Sequence, residues 1–141
     1  MLKIKQVNKI SSENILKSGS EAFAIIYINQ GKLKYTEDYI NKAVQFKEMK
    51  FGKSNASLII PLYIKGHIEM LKGNISNADI YINQGMAIAE NFYGKKSLKY
   101  AEGESYLNKL FMNIGFYEKA EIAITNAIKI KGEISFALLK Y

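Results

Sequence analysis

The feature that most constrains the fold is a period of 42 residues. Gly31, Gly73 and Gly115 are spaced 42 apart, and so are Gly52 and Gly94. Ile40, Ile82 and Ile124 keep the same register, as do Ala43, Gly85 and Ala127, and Thr36, Ala78 and Ala120. Tyr39-Ile40-Asn41-Lys42 and Tyr81-Ile82-Asn83-Gln84 are near copies. A chain that repeats in one register stacks copies of one supersecondary unit, because a single unit cannot bury its own apolar face.

Each unit reads as two helices joined at a glycine. The first helices run up to it, over Glu21–Gln30, Leu62–Lys72 and Glu104–Ile114; the second begin at about Tyr35, Ser76 and Tyr117. In the third unit Ile114, Tyr117, Ala120, Ile124, Ala127 and Ile128 recur at spacings of three and four, which predicts one helical face. Glycine suits a helix stop because the left-handed residue after the last turn carries no Cβ penalty. Only two or three residues then remain before the next helix, which forces an antiparallel pair. Asn74 and Ser76 are candidate N-caps. The second helices run to about Lys50 and Phe92 and end near Gly52 and Gly94, each followed by a polar linker. Pro61 is tolerated only in a first helical turn, so its helix starts near Ile59 or kinks there. No β-alternation of useful length is present. The expected fold is all-α, an α-α superhelix of three helical hairpins (about 13–54, 55–96 and 97–138) with partial helices at both ends.

Composition narrows the chemistry. The 141 residues suffice for one domain with a real core. There is no cysteine, which excludes a disulfide scaffold and a thiolate metal site, and the single histidine excludes a multi-histidine one. No apolar run reaches the ~18 residues of a membrane span. Met1–Lys9 carries lysines, but no apolar core of about 7–15 residues follows, which argues against a secretory signal. The expectation is a soluble, cytoplasmic protein without membrane insertion. The net charge is +7, and all 20 basic residues are lysine. Such an excess can steer a domain to nucleic acid or an anionic surface. The lysines are scattered, however, and arginine, the residue suited to bidentate phosphate and guanine contacts, is absent. Both facts argue against specific nucleic-acid recognition.

The pattern resembles the tetratricopeptide repeat family, and most closely its 42-residue variant of the kinesin light chain type. That family places a small residue seven before the turn glycine, here Ala24, Gly66 and Asn108, and an aromatic four before it, here Tyr27, Glu69 and Phe111. Small residues follow at five after (Thr36, Ala78, Ala120) and at twelve after (Ala43, Gly85, Ala127); Leu33, Ile75 and Tyr117 stand two after. Gln45–Gly52 and Ala87–Gly94 match the extended helix end of the 42-residue form. Asn108, Glu69 and Lys65 depart from the pattern, being polar where it is small or apolar. The resemblance spans about residues 13–130. Met1–Lys9 aligns with the back half of a preceding second helix. Gly132–Tyr141, with Ile134, Phe136, Leu138 and Leu139, suggests a folded-back helix, a self-association face or a chain that once continued further, and the first two are favoured equally.

The resemblance implies a concave face lined by the first helices, a surface that takes an extended or helical peptide. Its positions are Glu21, Ile25, Ile28 and Asn29 in the first unit and Tyr63, His67, Met70 and Leu71 in the second. In the third they are Glu102, Ser105, Lys109, Met112 and Asn113. Ile28, Met70 and Met112 form one equivalent row, and methionine is an adaptable contact residue. The carboxylate clamp of the family's chaperone-tail binders is not expected, because its positions hold Glu21, Ile25, Ile64, Glu102 and Tyr106. His67 alone titrates near neutrality and has no nucleophile or acid at a defined spacing. The glycines mark turns and not a phosphate loop. The repeating tyrosines Tyr27, Tyr39, Tyr81 and Tyr117 are read as packing residues. The expected role is a protein–protein interaction module without catalysis, cofactor or metal. The alternatives are a lysine-rich nucleic-acid or anionic-surface binder, or a structural repeat that self-associates into a homo-oligomer through its apolar C-terminal segment.

Overall fold

The structure, a computed structural model, describes residues 31–140. These form α1 (Leu33–Phe51), a 3-10 turn (Ala56–Leu58), α2 (Ile59–Leu71), α3 (Ile75–Tyr93), α4 (Leu98–Asn113) and α5 (Tyr117–Lys140). No strand occurs among the described residues. The pairs α2/α3 and α4/α5 are antiparallel hairpins, α3 stacks on α4, and α1 packs on α2. The expected first helix Glu21–Gln30 and the cap Met1–Lys9 lie outside the described residues.

The turn chemistry explains why the hairpins close where they do. After α2, Gly73 takes φ +85°, its N–H donates to Met70 O at 3.0 Å, and the Asn74 N–H donates to Glu69 O at 2.8 Å. After α4, Gly115 takes φ +79°; its N–H donates to Met112 O at 3.3 Å and the Phe116 N–H to Phe111 O at 2.8 Å. This pair of bonds satisfies the last carbonyls of a helix and requires a left-handed residue. A Cβ on either glycine would meet nothing within 4 Å, so dihedral angle and not space selects glycine here. Asn74 occupies the N-cap of α3, but its side chain makes no capping bond; Nδ2 donates instead to Glu69 Oε2 at 2.8 Å. Ser76 lies inside the first turn.

Entry to each first helix differs. Ahead of α2 the Asn55 side chain accepts from Ser57 N, and the 3-10 turn leads straight into Ile59. Pro61 is then the third residue of α2, where its missing N–H is one of the helix's orphan donors in any case. Ahead of α4 the cap is Ser97, whose Oγ accepts from Tyr100 N at 3.2 Å and donates to Gly94 O at 2.7 Å. α4 therefore begins at Leu98, six residues before the expected Glu104. The stretch Lys99–Gly103 hides this start, because its polar residues mask the apolar period.

The core runs through the crossings. Ile59, Tyr63 and Ile68 of α2, Ala78 and Ile82 of α3, and Leu110 of α4 are almost completely enclosed. Each large apolar side chain so buried contributes about 1.5–3 kcal/mol. Tyr63 fills a slot whose walls are glycines. A Cβ on Gly85 would stand 2.6 Å from Tyr63 Cε1, and one on Gly103 2.6 Å from its hydroxyl oxygen. A Cβ on Gly66 would stand 2.7 Å from Ile82 Cγ1. The Tyr63 hydroxyl donates to Lys99 O at 2.8 Å and so joins the second hairpin to the start of the third.

The three departures from the family pattern each make a contact of their own. Asn108 Nδ2 donates to Ala120 O at 2.8 Å, across the crossing of α4 and α5. Glu69 accepts from Asn74 across the turn. Lys65 Nζ lies 4.5 Å from the Tyr81 ring centre, a cation–π contact.

Two expectations for the last helix need correction. Its packing face is Ala120, Ala123, Ala127 and Ile130, whereas Tyr117 and Ile128 are exposed. The segment from Gly132 does not fold back: α5 continues through it to Lys140, and Phe136 stands where Gly52 and Gly94 end the earlier second helices. Without a left-handed glycine at that position the helical hydrogen-bond ladder simply runs on.

Candidate peptide-binding face

The candidate face is built on α2 and α4, whose residues three and four apart share a side. Tyr106 is its floor, buried on α4. One turn on, Lys109 sets its Nζ 4.9 Å from the Tyr106 ring centre. His67 approaches from α2, edge-on, with ring centres 5.9 Å apart. Beneath, the Tyr63 and Tyr106 rings are 5.5 Å apart. The result is an aromatic column that rises from the core and ends in a half-buried imidazole and an exposed ammonium.

The expected residues divide into three groups. Glu21, Ile25, Ile28 and Asn29 lie outside the described residues. Tyr63 and Met70 are buried, Tyr63 in the slot between Gly85 and Gly103. His67, Glu102 and Ser105 are half-buried, and Leu71, Lys109, Met112 and Asn113 are exposed. The Ser105 hydroxyl donates to Ala101 O of its own helix at 3.2 Å. Tyr106, expected only as a position of the absent clamp, is buried and is the ring on which His67 and Lys109 pack; its place three residues before Lys109, on the same helical side, is the sequence signal.

Burial pushes the Tyr63 phenol well above the usual tyrosine range, and the charges of Glu102, Tyr100 and Glu104 add to the effect. That hydroxyl is held neutral as a donor to a backbone carbonyl. Burial also raises the Glu104 carboxyl, a rise that a hydrogen bond from Asn126 partly offsets. Lys72 is shifted upwards chiefly by its hydrogen bond to Glu37, at 2.7 Å, which links α1 to the end of α2. Among the described residues no group of three or more His, Asp or Glu could hold a metal ion. None of the described helices is long and apolar enough to cross a membrane.

Two grooves lie at the inter-hairpin loops. One of about 350 Å³ is lined by Lys95, Lys96, Tyr100, Glu104, Asn126 and Lys129 among others, and one of about 370 Å³ by Glu48, Lys53, Ser54, Leu62, Gln84 and Ala87 among others. Lys53, Ser54, Leu62, Gln84 and Ala87 are the 42-residue equivalents of Lys95, Lys96, Glu104, Asn126 and Lys129. The groove is thus a product of the stacking geometry and recurs with it.

No family model matches the chain, and no curated protein does. A solved structure does: BtubC (BKLC) from P. vanneervenii, 18% identical, with a TM-score of 0.67. The match covers 95% of this chain and 54% of that one, so this chain spans about half of its length. At that identity the likeness shows the fold, an all-helical repeat.

Proposed function

We propose that the chain is a protein–protein interaction module that takes a peptide or helix of a partner on the face of α2 and α4, without catalysis. The observation that carries this reading is the column of Tyr106, His67 and Lys109, flanked by exposed Leu71 and Met112. Such a surface has an aromatic floor, an adaptable thioether and charged rims, the features of a helix-in-groove or peptide site. A partner retained by the chain at high salt should be lost on the double substitution Lys109→Glu with Met112→Glu. Both residues are exposed, so the circular dichroism spectrum should not change. Ile80→Glu, on an exposed face of α3, should leave retention intact. Retention by the double variant equal to that of the parent would sink the proposal.

The anionic-surface reading draws on Lys95, Lys96 and Lys129 lining one groove, but Glu104 and Glu133 line it too and cancel most of that charge. It requires binding that falls steeply with salt.

A further inference from the structure

Scattered along the sequence, the lysines are gathered in the fold. The antiparallel hairpins put the ends of α1 and α3 and the loops after them (46–58 and 88–100) on one edge of the stack, and the hairpin turns on the opposite edge. The loop edge carries Lys47, Lys50, Lys53, Lys95, Lys96 and Lys99 against only Glu48 and Glu90, a net charge of +4. The turn edge (31–38, 66–79 and 108–121) carries five lysines and six carboxylates. Lys50, Lys53, Lys95 and Lys96 are exposed. Glu90 stands 3.8 Å from Lys95. Around the second loop, Lys129 and Lys131 of α5 offset Glu104 and Glu133, so the neighbouring helices do not remove the excess.

The same edge exposes large apolar side chains. Phe46, Met49, Phe51, Phe92, Tyr93 and Leu98 are between 49% and 82% exposed. Phe51 and Tyr93 are 42-residue equivalents in the last turns of α1 and α3, and Lys53 and Lys95 are equivalents two residues on. Lys50 Nζ stands 5.6 Å from the Phe46 ring centre and 5.3 Å from that of Phe51. The Phe92 and Tyr93 rings are 6.4 Å apart. Aromatic rings and ammonium groups thus alternate along a protruding edge. The grooves show that this edge is continuous: Lys53 and Ser54 share one with Ala87 of α3, and Lys95 and Lys96 share the other with Lys129 of α5.

We propose that the loop edge docks on a lipid bilayer that carries anionic headgroups, with its aromatic and aliphatic side chains entering the headgroup layer. Charge complementarity and side-chain chemistry together select this occupant. Lysine is a compact, strongly hydrated point charge suited to a diffuse anionic layer, and the chain has no arginine to grip single phosphates bidentately. Met49 and Leu98 have no ring on which a base could stack, yet they bury readily at the acyl boundary. Surface binding of this kind takes two signals, apolar contact and basic charge, and the loop edge supplies both. None of the described helices is long and apolar enough to cross the bilayer, so the contact is made at its surface.

Vesicles of phosphatidylcholine with about one-third phosphatidylserine should pellet the full chain, whereas phosphatidylcholine alone should not, and added salt should weaken the binding. Each lysine near an anionic leaflet strengthens binding about fivefold, so Lys95→Glu with Lys96→Glu should weaken it at least about tenfold. Lys34→Glu with Lys119→Glu removes the same charge from the turn edge and should have a much smaller effect. Phe92→Ser with Leu98→Ser should weaken binding at constant charge. All six side chains are exposed, so helicity should not change. The variant Lys109→Glu with Met112→Glu should still pellet, which separates this edge from the proposed peptide face. Failure to pellet with the anionic vesicles overturns the proposal. So does an equal loss in the turn-edge variant, undiminished binding by Phe92→Ser with Leu98→Ser, or tighter binding to oligodeoxythymidylate or polyglutamate than to the vesicles.

Discussion

Gly103→Ala sets packing against helix propensity with opposite signs. Gly103 lies inside α4, where alanine is worth about 1 kcal/mol more than glycine. If its surroundings were open, the substitution would stabilise the protein by that amount. The structure places a Cβ there in collision with Met86 Cγ, 2.6 Å from the Tyr63 hydroxyl oxygen and 2.9 Å from Tyr63 Cζ. Met86 can shift, but Tyr63 cannot easily do so. Its ring is pinned on the other side by Gly85 and its hydroxyl by Lys99 O. Overpacking of this kind costs about 1–3 kcal/mol, and loosening the Tyr63 hydrogen bond costs about 1 more. Less the gain in propensity, the net is a destabilisation of about 1–3 kcal/mol, or roughly 3–10 °C of melting midpoint for a domain of this size. Urea unfolding followed by circular dichroism measures it. The control is the same substitution in a Tyr63→Phe background. Removing the hydroxyl relieves the collision, so Gly103→Ala should cost less there, with a coupling of about 0.5–3 kcal/mol. A stabilised Gly103→Ala protein, or additive effects of the two changes, would refute the slot.

Two further outcomes bear on other parts of the molecule. Asn108→Ala restores the small residue that the family pattern favours, and by pattern alone should be benign; the lost bond to Ala120 O predicts a destabilisation of about 1 kcal/mol in the same unfolding assay, and an unchanged midpoint would mean that this bond contributes nothing. Burial raises the Glu104 carboxyl, so its protonated form favours folding: that contribution is present below the unfolded value of about 4.3 and is lost as pH rises through the folded one. Glu104→Gln should therefore raise the melting midpoint at pH 7, with the gain vanishing near pH 4, and a gain independent of pH would show that charge burial is not the cause.

Much of the architecture was legible because its causes are local. The ends of α1 and α3 follow from Gly52 and Gly94, which take positive φ after the last turn, and the hairpin turns follow likewise from Gly73 and Gly115. Gly85 was recognisable as a small residue at a crossing. Gly103 was not, because what demands it is Tyr63 and Met86, which reach it from α2 and α3. The candidate face shows the same division. The resemblance implies His67, Lys109 and Met112 on that face; Lys109 and Met112 are exposed and His67 is half-buried. It implies Tyr63 and Met70 there too, yet both are buried. Period alone cannot distinguish a side chain at the seam of a stack from one at its rim.

The sequence by itself determined the helical period, the hairpin turns and the absence of thiol or multi-histidine chemistry, since backbone dihedrals and side-chain inventory are properties of single residues. Only the tertiary structure decided which members of each 42-residue row are covered. It buried Met86 and left Ile128 in solvent, and it carried α5 past the point where the earlier second helices stop. The physical reason is that burial belongs to pairs of surfaces: an equivalent residue in the next repeat is apolar for the same local reason, but it is removed from water only if another helix lies against it.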